Sequence, residues 1–261
     1  MKFKNRSAVI LCGGKGTRLG VIGKKIPKTL VKIQGREILW YIVKMLKLYN
    51  FNHFVIPLGF KGNLIKKFFK KNKNFNCKIE LINTGVNSGI GRRIFLAEKE
   101  IKSENFLLLN GDAIFDFNID KIFKNHEKNN FGISFISGEI TYQYGTVGTI
   151  KNKVVDFKRN LVYEAIKTRN SNTYKAFNYT GMSIINTHLI RKHKKICNKT
   201  DNFEQDIFPK LLKKSSSNLQ KIKGYWHSID NVKDIKVVNE IKIKDKRFLG
   251  IKKIKKKLNG K

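Results

Sequence analysis

A glycine-rich segment near the start of the chain combines backbone amides with positive charge. It spans residues 13–18, GGKGTR, and follows the apolar stretch 8–11; a further lysine, Lys28, comes directly after Pro27. Glycines let backbone amides approach a polyphosphate closely, and such amides attract anionic oxygens. Arg18 and Lys28 add positive charge where the phosphates would lie. The segment therefore indicates a site for a nucleoside triphosphate.

Two better-known phosphate-binding loops do not match this segment. A dinucleotide-binding loop has the pattern G-x-G-x-x-G, whereas Leu19 occupies the last of those positions here. A P-loop has the pattern G-x-x-x-x-G-K-[ST], which the chain lacks. The remaining alternative is a tight turn between a strand and a helix that carries basic residues without binding phosphate. Arg18 together with Lys28 favours phosphate binding over that alternative.

Two aspartates are candidates for a metal site. Asp112 follows the predicted strand 106–109, and Asp230 follows the predicted strand 226–229. Mg²⁺ at nucleotide sites takes one or two protein carboxylates, with phosphate oxygens and waters as further ligands. Each aspartate also has a simpler interpretation, as a turn residue for Asp112 and as the N-cap of the next helix for Asp230.

In the first half of the chain, the predicted strands and helices alternate. Such alternation is typical of a parallel sheet with crossover helices, in which ligands bind at the carboxyl ends of the strands. The glycine-rich segment and Asp112 both follow strands, so we expect them at the same edge of the sheet. The predicted strands are 8–11, 54–58, 79–82 and 106–109, and the predicted helices are 38–48, 64–71 and 92–101.

After residue 120 the pattern changes, and a polar stretch reaches residue 172. We expect this half to extend the same sheet and to carry the pocket for a second substrate, the acceptor. Its predicted strands are 132–140, 146–150, 154–157, 182–185, 219–222 and 226–229, with helices near 189–196, near 203–212 and from 232.

These elements predict an α/β fold with a Rossmann-like, mixed but mostly parallel sheet, helices on both faces and a small extension on the acceptor side. We expect one domain over residues 1–241, with a nucleotide half of about 1–120 and an acceptor half of about 121–241. Residues 242–261 form a basic tail. The tail has the spacing of a short amphipathic helix able to touch a membrane, but a solvated terminus is the simpler interpretation.

The composition excludes several classes of protein. Hydrophobic residues make up 41% of the 261 residues, which excludes a disordered chain. No apolar run approaches the roughly 20 residues of a membrane span, and the N-terminus lacks the apolar core of a signal peptide. The three cysteines, Cys12, Cys77 and Cys197, form no C-x-x-C pattern. We therefore expect a cytoplasmic protein without structural zinc.

The formal net charge of +36 would ordinarily suggest binding to nucleic acid. However, lysine, asparagine, isoleucine and phenylalanine are enriched together, and their codons can be built from A and T alone. The lysines are also spread along the whole chain. Drift in an AT-rich genome explains this composition, so we expect no specific nucleic-acid partner.

The glycine-rich segment resembles that of the sugar-phosphate nucleotidyltransferases, GGxGTRL followed by PK. Other segments resemble the glucose-1-phosphate cytidylyltransferases in particular. Residues 38–41, ILWY, and 53–62, HFVIPLGFKG, resemble ILWHI and DFVICLGYKG of that family. Residues 84–93, TGVNSGIGRR, approximate TGxxSxTGGR, and residues 224–230, GYWHSID, resemble GFWxxxD. Asp112 with the preceding glycine matches the metal-binding GD.

The resemblance implies an enzyme that joins an NTP, with CTP favoured, to a sugar 1-phosphate, giving a nucleotide-sugar and pyrophosphate. Such transfer needs no general base, because a phosphate monoester is largely dianionic at neutral pH. Two polyanions must meet, so positioning and charge neutralisation carry most of the catalysis. Nucleotide-sugars generally feed surface polysaccharides, so the resemblance also implies that class of pathway. The sequence is compatible with a homo-oligomer.

The resemblance also implies roles for individual residues. Arg18 and Lys28 would bind the phosphates as catalytic residues, and Asp112 and Asp230 would bind Mg²⁺. The implied nucleotide-binding residues are Leu11, Gly13, Gly14, Gly16, Thr17, Gly85, Ser88, Arg93 and Gly111. The implied substrate-binding residues on the acceptor side are Gly181, Glu204 and Trp226.

The chain departs from the family pattern at the base and at the sugar. Ile90 replaces a threonine and Arg92 a glycine in the base-proximal motif. The FxEKP segment, which supplies a lysine to the sugar phosphate, reads FKRN at residues 157–160, with Lys158 or Lys167 as candidate substitutes.

Two alternative functions follow from these departures. Residues 144–147, YGTV, resemble heptose 1-phosphate guanylyltransferases. The first alternative is thus a heptose or mannose 1-phosphate guanylyltransferase. The second is a non-catalytic regulatory homologue that binds nucleotide-sugars. Such a homologue should lack a phosphate-binding or metal-binding residue, whereas Arg18, Lys28, Asp112 and Asp230 are all present.

Overall fold

The computed structural model describes residues 6–14, 16–163, 165–168, 171–199 and 202–240. The strands in these ranges are β1 (Arg6–Leu11), β2 (Lys32–Ile33), β3 (Arg36–Glu37), β4 (Phe51–Leu58), β5 (Lys78–Asn83), β6 (Asn105–Asn110), β7 (Ala113–Asp116), β8 (Ile133–Ser137), β9 (Ile140–Ile150), β10 (Lys153–Tyr163), β11 (Ala165–Thr168), β12 (Ser171–Phe177), β13 (Tyr179–Asn186), β14 (Ser217–Lys221) and β15 (Tyr225–Ser228). The α-helices are α1 (Gly20–Lys25), α2 (Ile38–Lys47), α3 (Gly62–Lys71), α4 (Ile90–Ala97), α5 (Ile119–Lys128), α6 (Thr187–Lys192), α7 (Lys194–Lys199), α8 (Phe208–Leu212) and α9 (Val232–Glu240).

Seven strands form one sheet in the order β14-β8-β13-β6-β1-β4-β5. β1 pairs in parallel with both β4 and β6, and β4 pairs in parallel with β5. β13 is antiparallel to β6 and β8, whereas β14 runs parallel to β8. The sheet is therefore mixed and mostly parallel, as the alternation of elements predicts.

Alternate residues of the central strands pack on opposite faces of this sheet. On β1, Ala8 and Ile10 belong to one buried cluster, whereas Val9 belongs to the other. The first cluster includes buried side chains of α2, α3 and α5, and the second includes those of α4, α6 and α8. Helices thus cover both faces, as a sheet of buried parallel strands requires. This confirms the predicted fold class.

The second half extends the sheet as predicted through β8, β13 and β14, but β15 does not join it. β15 instead pairs antiparallel with β7, with Trp226 opposite Phe115. Sequence reasoning missed β7 because four residues are too short to show a period. The pairing brings the chain around Asp230 back to the chain around Asp112, which is what places the two aspartates together.

The polar stretch before residue 172 contains more strand than predicted. β9 and β10 form a long hairpin, and β11 pairs with β12. A two-stranded ribbon can leave both faces in solvent, so its sequence need not alternate between apolar and polar residues. Phe157, for example, is 65% exposed. The periodicity that identifies a half-buried strand is therefore missing here.

The predicted basic tail, residues 242–261, lies outside the described residues. In the described part of the chain, no helix combines the length and hydropathy needed to cross a membrane. The division of residues 1–241 into a nucleotide half and an acceptor half stays a prediction.

Candidate active site

Two cavities meet where the parallel strands β1 and β6 end. The larger has a volume of about 880 Å³ and the smaller about 530 Å³. Five of the described residues line both cavities: Gly14, Gly16, Lys28, Asn110 and Asp112. The cavities are thus two chambers of one site that share a wall.

The smaller chamber lies over the loops that follow β1 and β5, and the larger chamber extends toward the second half of the chain. The residues that line only the smaller chamber are Leu11, Cys12, Gly13, Thr29, Val86, Asn87, Ser88, Gly89, Ile90 and Arg93. Those that line only the larger chamber are Thr17, Arg18, Ile140, Tyr163, Ala176, Phe177, Asn178, Tyr179, Thr180, Gly181, Glu204, Trp226, Ser228 and Asp230. Every predicted site residue except Gly85 and Gly111 therefore lines at least one chamber.

Gly85 and Gly111 instead allow backbone conformations that a larger residue would disfavour. Gly85 has a φ of +85°, a left-handed conformation that favours glycine. A Cβ on Gly111 would lie 2.6 Å from Thr29 Cγ2 and 2.9 Å from the Leu11 carbonyl oxygen. Gly111 N also donates to that oxygen at 3.1 Å. Gly111 thus permits the ends of β1 and β6 to approach each other beneath Asp112.

The glycine-rich segment turns sharply at Gly16, whose φ is +62°. The Gly16 carbonyl accepts a hydrogen bond from Leu19 N at 3.0 Å, which closes the short 3₁₀ turn Thr17–Leu19. Leu19 is buried in the core on one side of the sheet. This anchor holds Thr17 and Arg18 at the rim of the larger chamber.

Arg93 is 4% exposed and fixes the floor of the smaller chamber. Its guanidinium donates to the carbonyl oxygens of Gly13 and Leu58, both at 3.2 Å, and to Thr84 Oγ1 at 2.6 Å. Gly13 and Thr84 belong to the loops after β1 and β5, and Leu58 is the last residue of β4. The resemblance predicts Arg93 near the base or the phosphates, and the structure places it beneath the loop that would bind them. Arg93 therefore positions the nucleotide loop.

Lys28 stands between the two predicted metal ligands. Its Nζ donates to Asp112 Oδ2 and to Asp230 Oδ1, each at 2.8 Å. Burial alone would lower the pKa of Lys28, but the two carboxylates outweigh that effect and raise the pKa above its usual value. Burial would raise the pKa of Asp230, but its bond to Lys28 reverses this and lowers the pKa. Lys28 and Asp230 are therefore both charged at neutral pH.

Arg18 is the most exposed of the predicted catalytic side chains. Its guanidinium lies 3.6 Å from Asp230 Oδ1, and 80% of its side chain is exposed to solvent. An exposed arginine at the rim of a chamber is free to close a bidentate contact onto a phosphate, which a planar guanidinium favours. Arg18 is thus placed to meet an anion that enters the larger chamber.

The acceptor side of the larger chamber begins at Gly181, whose φ is +73°. A Cβ on Gly181 would overlap the amide of Asn110, a residue of the shared wall. Glu204 and Trp226 line the same chamber, and Trp226 Nε1 is buried without a hydrogen-bond partner among the described residues. This indole N–H therefore lacks the hydrogen-bond partner that a buried donor usually has.

Lys158, a predicted substitute for the family's sugar-phosphate lysine, lies elsewhere. It forms a 2.8 Å ion pair with Asp156 on the β9–β10 hairpin and lines neither chamber. The side chain of Lys167, the other candidate, lies outside the part of the chain whose side chains are described.

The sequence analysis left out two residues of the chamber walls, although their positions in the sequence mark them. Asn110 precedes the predicted GD pair directly, and Ser228 lies two residues before Asp230. Their place beside predicted metal ligands was the available signal. Tyr163 and Phe177 were missed for a different reason, because they end strands that the polar sequence concealed. Tyr179 begins β13, ahead of the predicted strand 182–185.

The carboxylates on either side of Lys28 fit Mg²⁺. Among the described residues, Asp112 and Asp230 are the two carboxylates that Lys28 bridges, and no group of three or more potential metal-ligating side chains occurs. Mg²⁺ typically uses one or two carboxylates and takes its remaining ligands from phosphates and water. The Lys28 ammonium already shows that a cation is favoured between these carboxylates.

Comparison with known proteins identifies the family. The chain matches the nucleotidyl transferase family over residues 7–244. A protein of Bacillus subtilis (strain 168) named "Probable glucose-1-phosphate cytidylyltransferase" is 28% identical over 254 residues, which cover 90% of this chain and 95% of that protein. The "D-glycero-alpha-D-manno-heptose 1-phosphate guanylyltransferase" of Campylobacter jejuni is 35% identical over 121 residues, 46% of this chain and 54% of that enzyme.

Other relatives are longer than this chain. The "Bifunctional protein GlmU" of Methanococcus maripaludis (strain C7) is 29% identical over 264 residues, which cover 97% of this chain and 56% of that protein. The chain thus spans about half the length of this relative.

Among solved structures, HddC from Yersinia pseudotuberculosis superimposes with a TM-score of 0.68 at 22% identity, covering 90% of this chain and 98% of that one. This likeness shows that the two proteins share a fold. The family match over residues 7–244 identifies the chain as a member of the nucleotidyl transferase family.

Proposed function

We propose that this protein transfers a nucleotidyl group from an NTP to a sugar 1-phosphate, releasing pyrophosphate. The observation that carries the proposal is the position of Lys28, which bridges Asp112 and Asp230 at the wall that two chambers share. A reaction between two anionic substrates needs two adjacent pockets with cationic groups at their junction. The family match and the Bacillus subtilis relative support the same reaction.

In the proposed reaction, an oxygen of the sugar phosphate attacks the α-phosphorus of the NTP. The bond from that phosphorus to the β-phosphate oxygen breaks, and its electron pair leaves with pyrophosphate. Arg18 and Lys28 hold the phosphates together and offset their charge. No general base is needed, because the attacking phosphate is already largely dianionic at neutral pH. Mg²⁺ held by Asp112 and Asp230 would neutralise further phosphate charge.

We assign the smaller chamber to the nucleotide and the larger chamber to the sugar phosphate. The smaller chamber is lined by glycine-rich backbone and by Ser88, the residues that the resemblance implies for the nucleotide. The larger chamber offers the Glu204 carboxylate, which suits the hydroxyl groups of a sugar, and Trp226 also lines it. The enzyme would work in the cytoplasm, where nucleotide-sugars for polysaccharides are made.

CTP is the favoured donor of the nucleotidyl group, because the cytidylyltransferase relative matches this chain over 90% of its length. A second candidate is a guanylyltransferase for heptose or mannose 1-phosphate. It is favoured by the Campylobacter jejuni relative, which is 35% identical over a shorter segment, and by the YGTV sequence at residues 144–147.

The test is pyrophosphate release with Mg²⁺, using CTP, GTP, UTP, ATP and dTTP against a panel of sugar 1-phosphates. Asp112→Asn serves as the matched control because it keeps the size of the side chain and removes the charge. Release with CTP and glucose 1-phosphate, lost in the variant, would support the favoured assignment. Release with GTP and a heptose or mannose phosphate would support the second candidate. Nucleotide binding without release from any pair would overturn both and favour a regulatory protein.

A further inference from the structure

A buried carboxylate lies next to the proposed metal ligand Asp230 and outside the chambers. Asp234, in the first turn of α9, is 5% exposed. Its Oδ2 accepts hydrogen bonds from the backbone N–H groups of Asp230, at 2.7 Å, and Asn231, at 2.8 Å. A carboxylate is almost never fully buried unless such partners compensate its lost hydration. The two N–H groups are that compensation.

The segment that carries Asp230 is held from the other side as well. Ile229 N donates to the carbonyl oxygen of Asp112 at 2.9 Å. The backbone just before Asp230 is therefore fixed to Asp112, and the backbone from Asp230 onward is fixed to Asp234. The distance between the two proposed metal-binding carboxylates depends on both attachments.

The surroundings of Asp234 show that its position is itself fixed. Asn231 Oδ1 caps the start of α9 by accepting from the N–H groups of Lys233, at 2.8 Å, and Asp234, at 3.2 Å. His227 Nε2 lies 3.6 Å from Asp234 Oδ1, which is too long for a hydrogen bond but fills the space beside the carboxylate. Asp234 is thus a rigid support on a helix.

We propose that Asp234 is a positioning residue that sets the backbone of Asp230 and thereby the geometry of the metal site. The inference rests on the proposed function, because it takes Asp230 as a metal ligand. Residues that hydrogen-bond to metal ligands typically change metal affinity by about 10- to 100-fold when removed. The alternative is that Asp234 only adds negative charge near the site, with no effect of its hydrogen bonds.

The experiment compares Asp234→Ala, Asp234→Asn and Asp230→Asn in the full-length protein. Asparagine keeps an oxygen that can accept from both N–H groups and removes the charge, whereas alanine removes both. Two readouts are used: Mn²⁺ affinity by electron paramagnetic resonance titration, and hydrogen–deuterium exchange of the peptide that contains residues 228–235. Glu240→Gln, at the exposed end of α9, is the matched control, since it removes one charge and no buried contact.

Asp234→Ala should weaken Mn²⁺ binding about tenfold and speed exchange at residues 230 and 231, while Asp234→Asn stays within about threefold of the parent. Equal losses in both variants, with unchanged exchange, would overturn positioning in favour of simple charge. Unchanged Mn²⁺ affinity in Asp234→Ala would overturn it outright. Unchanged affinity in Asp230→Asn would show instead that the proposed metal assignment fails. If thermal melting shows that Asp234→Ala does not fold, Asp234→Ser takes its place.

Discussion

Lys28 Nζ lies 2.8 Å from Asp230 Oδ1, although 202 positions separate the two residues in the chain. The contact closes because β15 pairs with β7 and returns the chain to the edge of the sheet beside Asp112. Lys28 occupies the space between carboxylates that a cation would take. A metal ion and the Lys28 ammonium therefore compete for the same oxygens unless phosphates draw the lysine away.

The first prediction follows from that competition. Lys28→Met should bind Mn²⁺ more tightly than the parent in the absence of nucleotide, because the competing ammonium is gone. Isothermal titration with Mn²⁺ measures this. Arg18→Met is the matched control, since it removes a charge 3.6 Å from Asp230 without vacating the space between the carboxylates. Equal or weaker binding by the Lys28 variant would show that the contact does not limit metal entry.

The second prediction concerns the role of Arg18 in catalysis. Arg18→Met should lower kcat/KM for the NTP about a hundredfold, because one cationic donor to the phosphates is lost. Arg18→Lys should recover only part of that loss, since an ammonium cannot make a bidentate contact. Pyrophosphate release at saturating Mg²⁺ gives both values. Full recovery in the lysine variant would mean that Arg18 supplies charge alone.

The third prediction compares neighbouring glycines. A Cβ on Gly13 would overlap the guanidinium of Arg93, whereas no described atom lies within 4 Å of a Cβ on Gly14. Gly13→Ala should therefore destabilise the protein by about 1–3 kcal/mol, the usual cost of overpacking. Gly14→Ala should change the free energy of unfolding by less than about 0.5 kcal/mol. Chemical denaturation of both variants measures the difference, and similar values would contradict the packing described for Arg93.

The fourth prediction is a loss of stability in acid. Burial lowers the pKa of His126 to about 4. Its ring is held between Ser134 Oγ, at 2.7 Å, and Asn105 Oδ1, at 3.1 Å. His126 takes up a proton near pH 6.5 in the unfolded chain but only near pH 4 in the folded chain. The contribution of neutral His126 to the free energy of unfolding is therefore complete above pH 6.5. It declines as the pH falls toward 4, by about 3 kcal/mol in total.

The matched variant for that prediction is His126→Gln, which keeps polar atoms and cannot take up a proton in this range. Thermal melting from pH 7.5 to pH 4 should show a steeper decline for the parent than for the variant. Parallel declines would mean that other groups dominate the acid response.

The sequence predicted the nucleotide side of the site more completely than the acceptor side. Buried parallel strands such as β1 and β6 must be apolar on both faces, so their ends, and with them Gly13 and Asp112, are visible in the sequence. Tyr163 and Phe177 end strands of two-stranded ribbons outside the main sheet, where no alternation of apolar and polar residues marks a strand. Contacts across the fold, such as Asp234 with the Asp230 backbone, leave no periodic signal at all.

The buried side chain of Arg93 shows a second limit to predicting the site from the sequence. A motif places an arginine near phosphates along the chain, but only the fold decides which side of the loop it reaches. Here the helix α4 carries Arg93 beneath Gly13, where it holds carbonyl oxygens. The residue type was informative and the direction of the side chain was not.

The wall shared by the two chambers has an evolutionary consequence. Apart from five common residues, each chamber is lined by different described residues, and distant segments supply many of them: those around 86–93 for the smaller chamber and those around 176–181, 204 and 226–228 for the larger. A substitution in one set leaves the other set and the reacting centre in place. Under the proposed assignment of the chambers, preference for a base and preference for a sugar can therefore change independently among related enzymes. The altered residues Ile90 and Arg92 lie on the segment of the smaller chamber, and the altered FxEKP segment belongs to the predicted acceptor half.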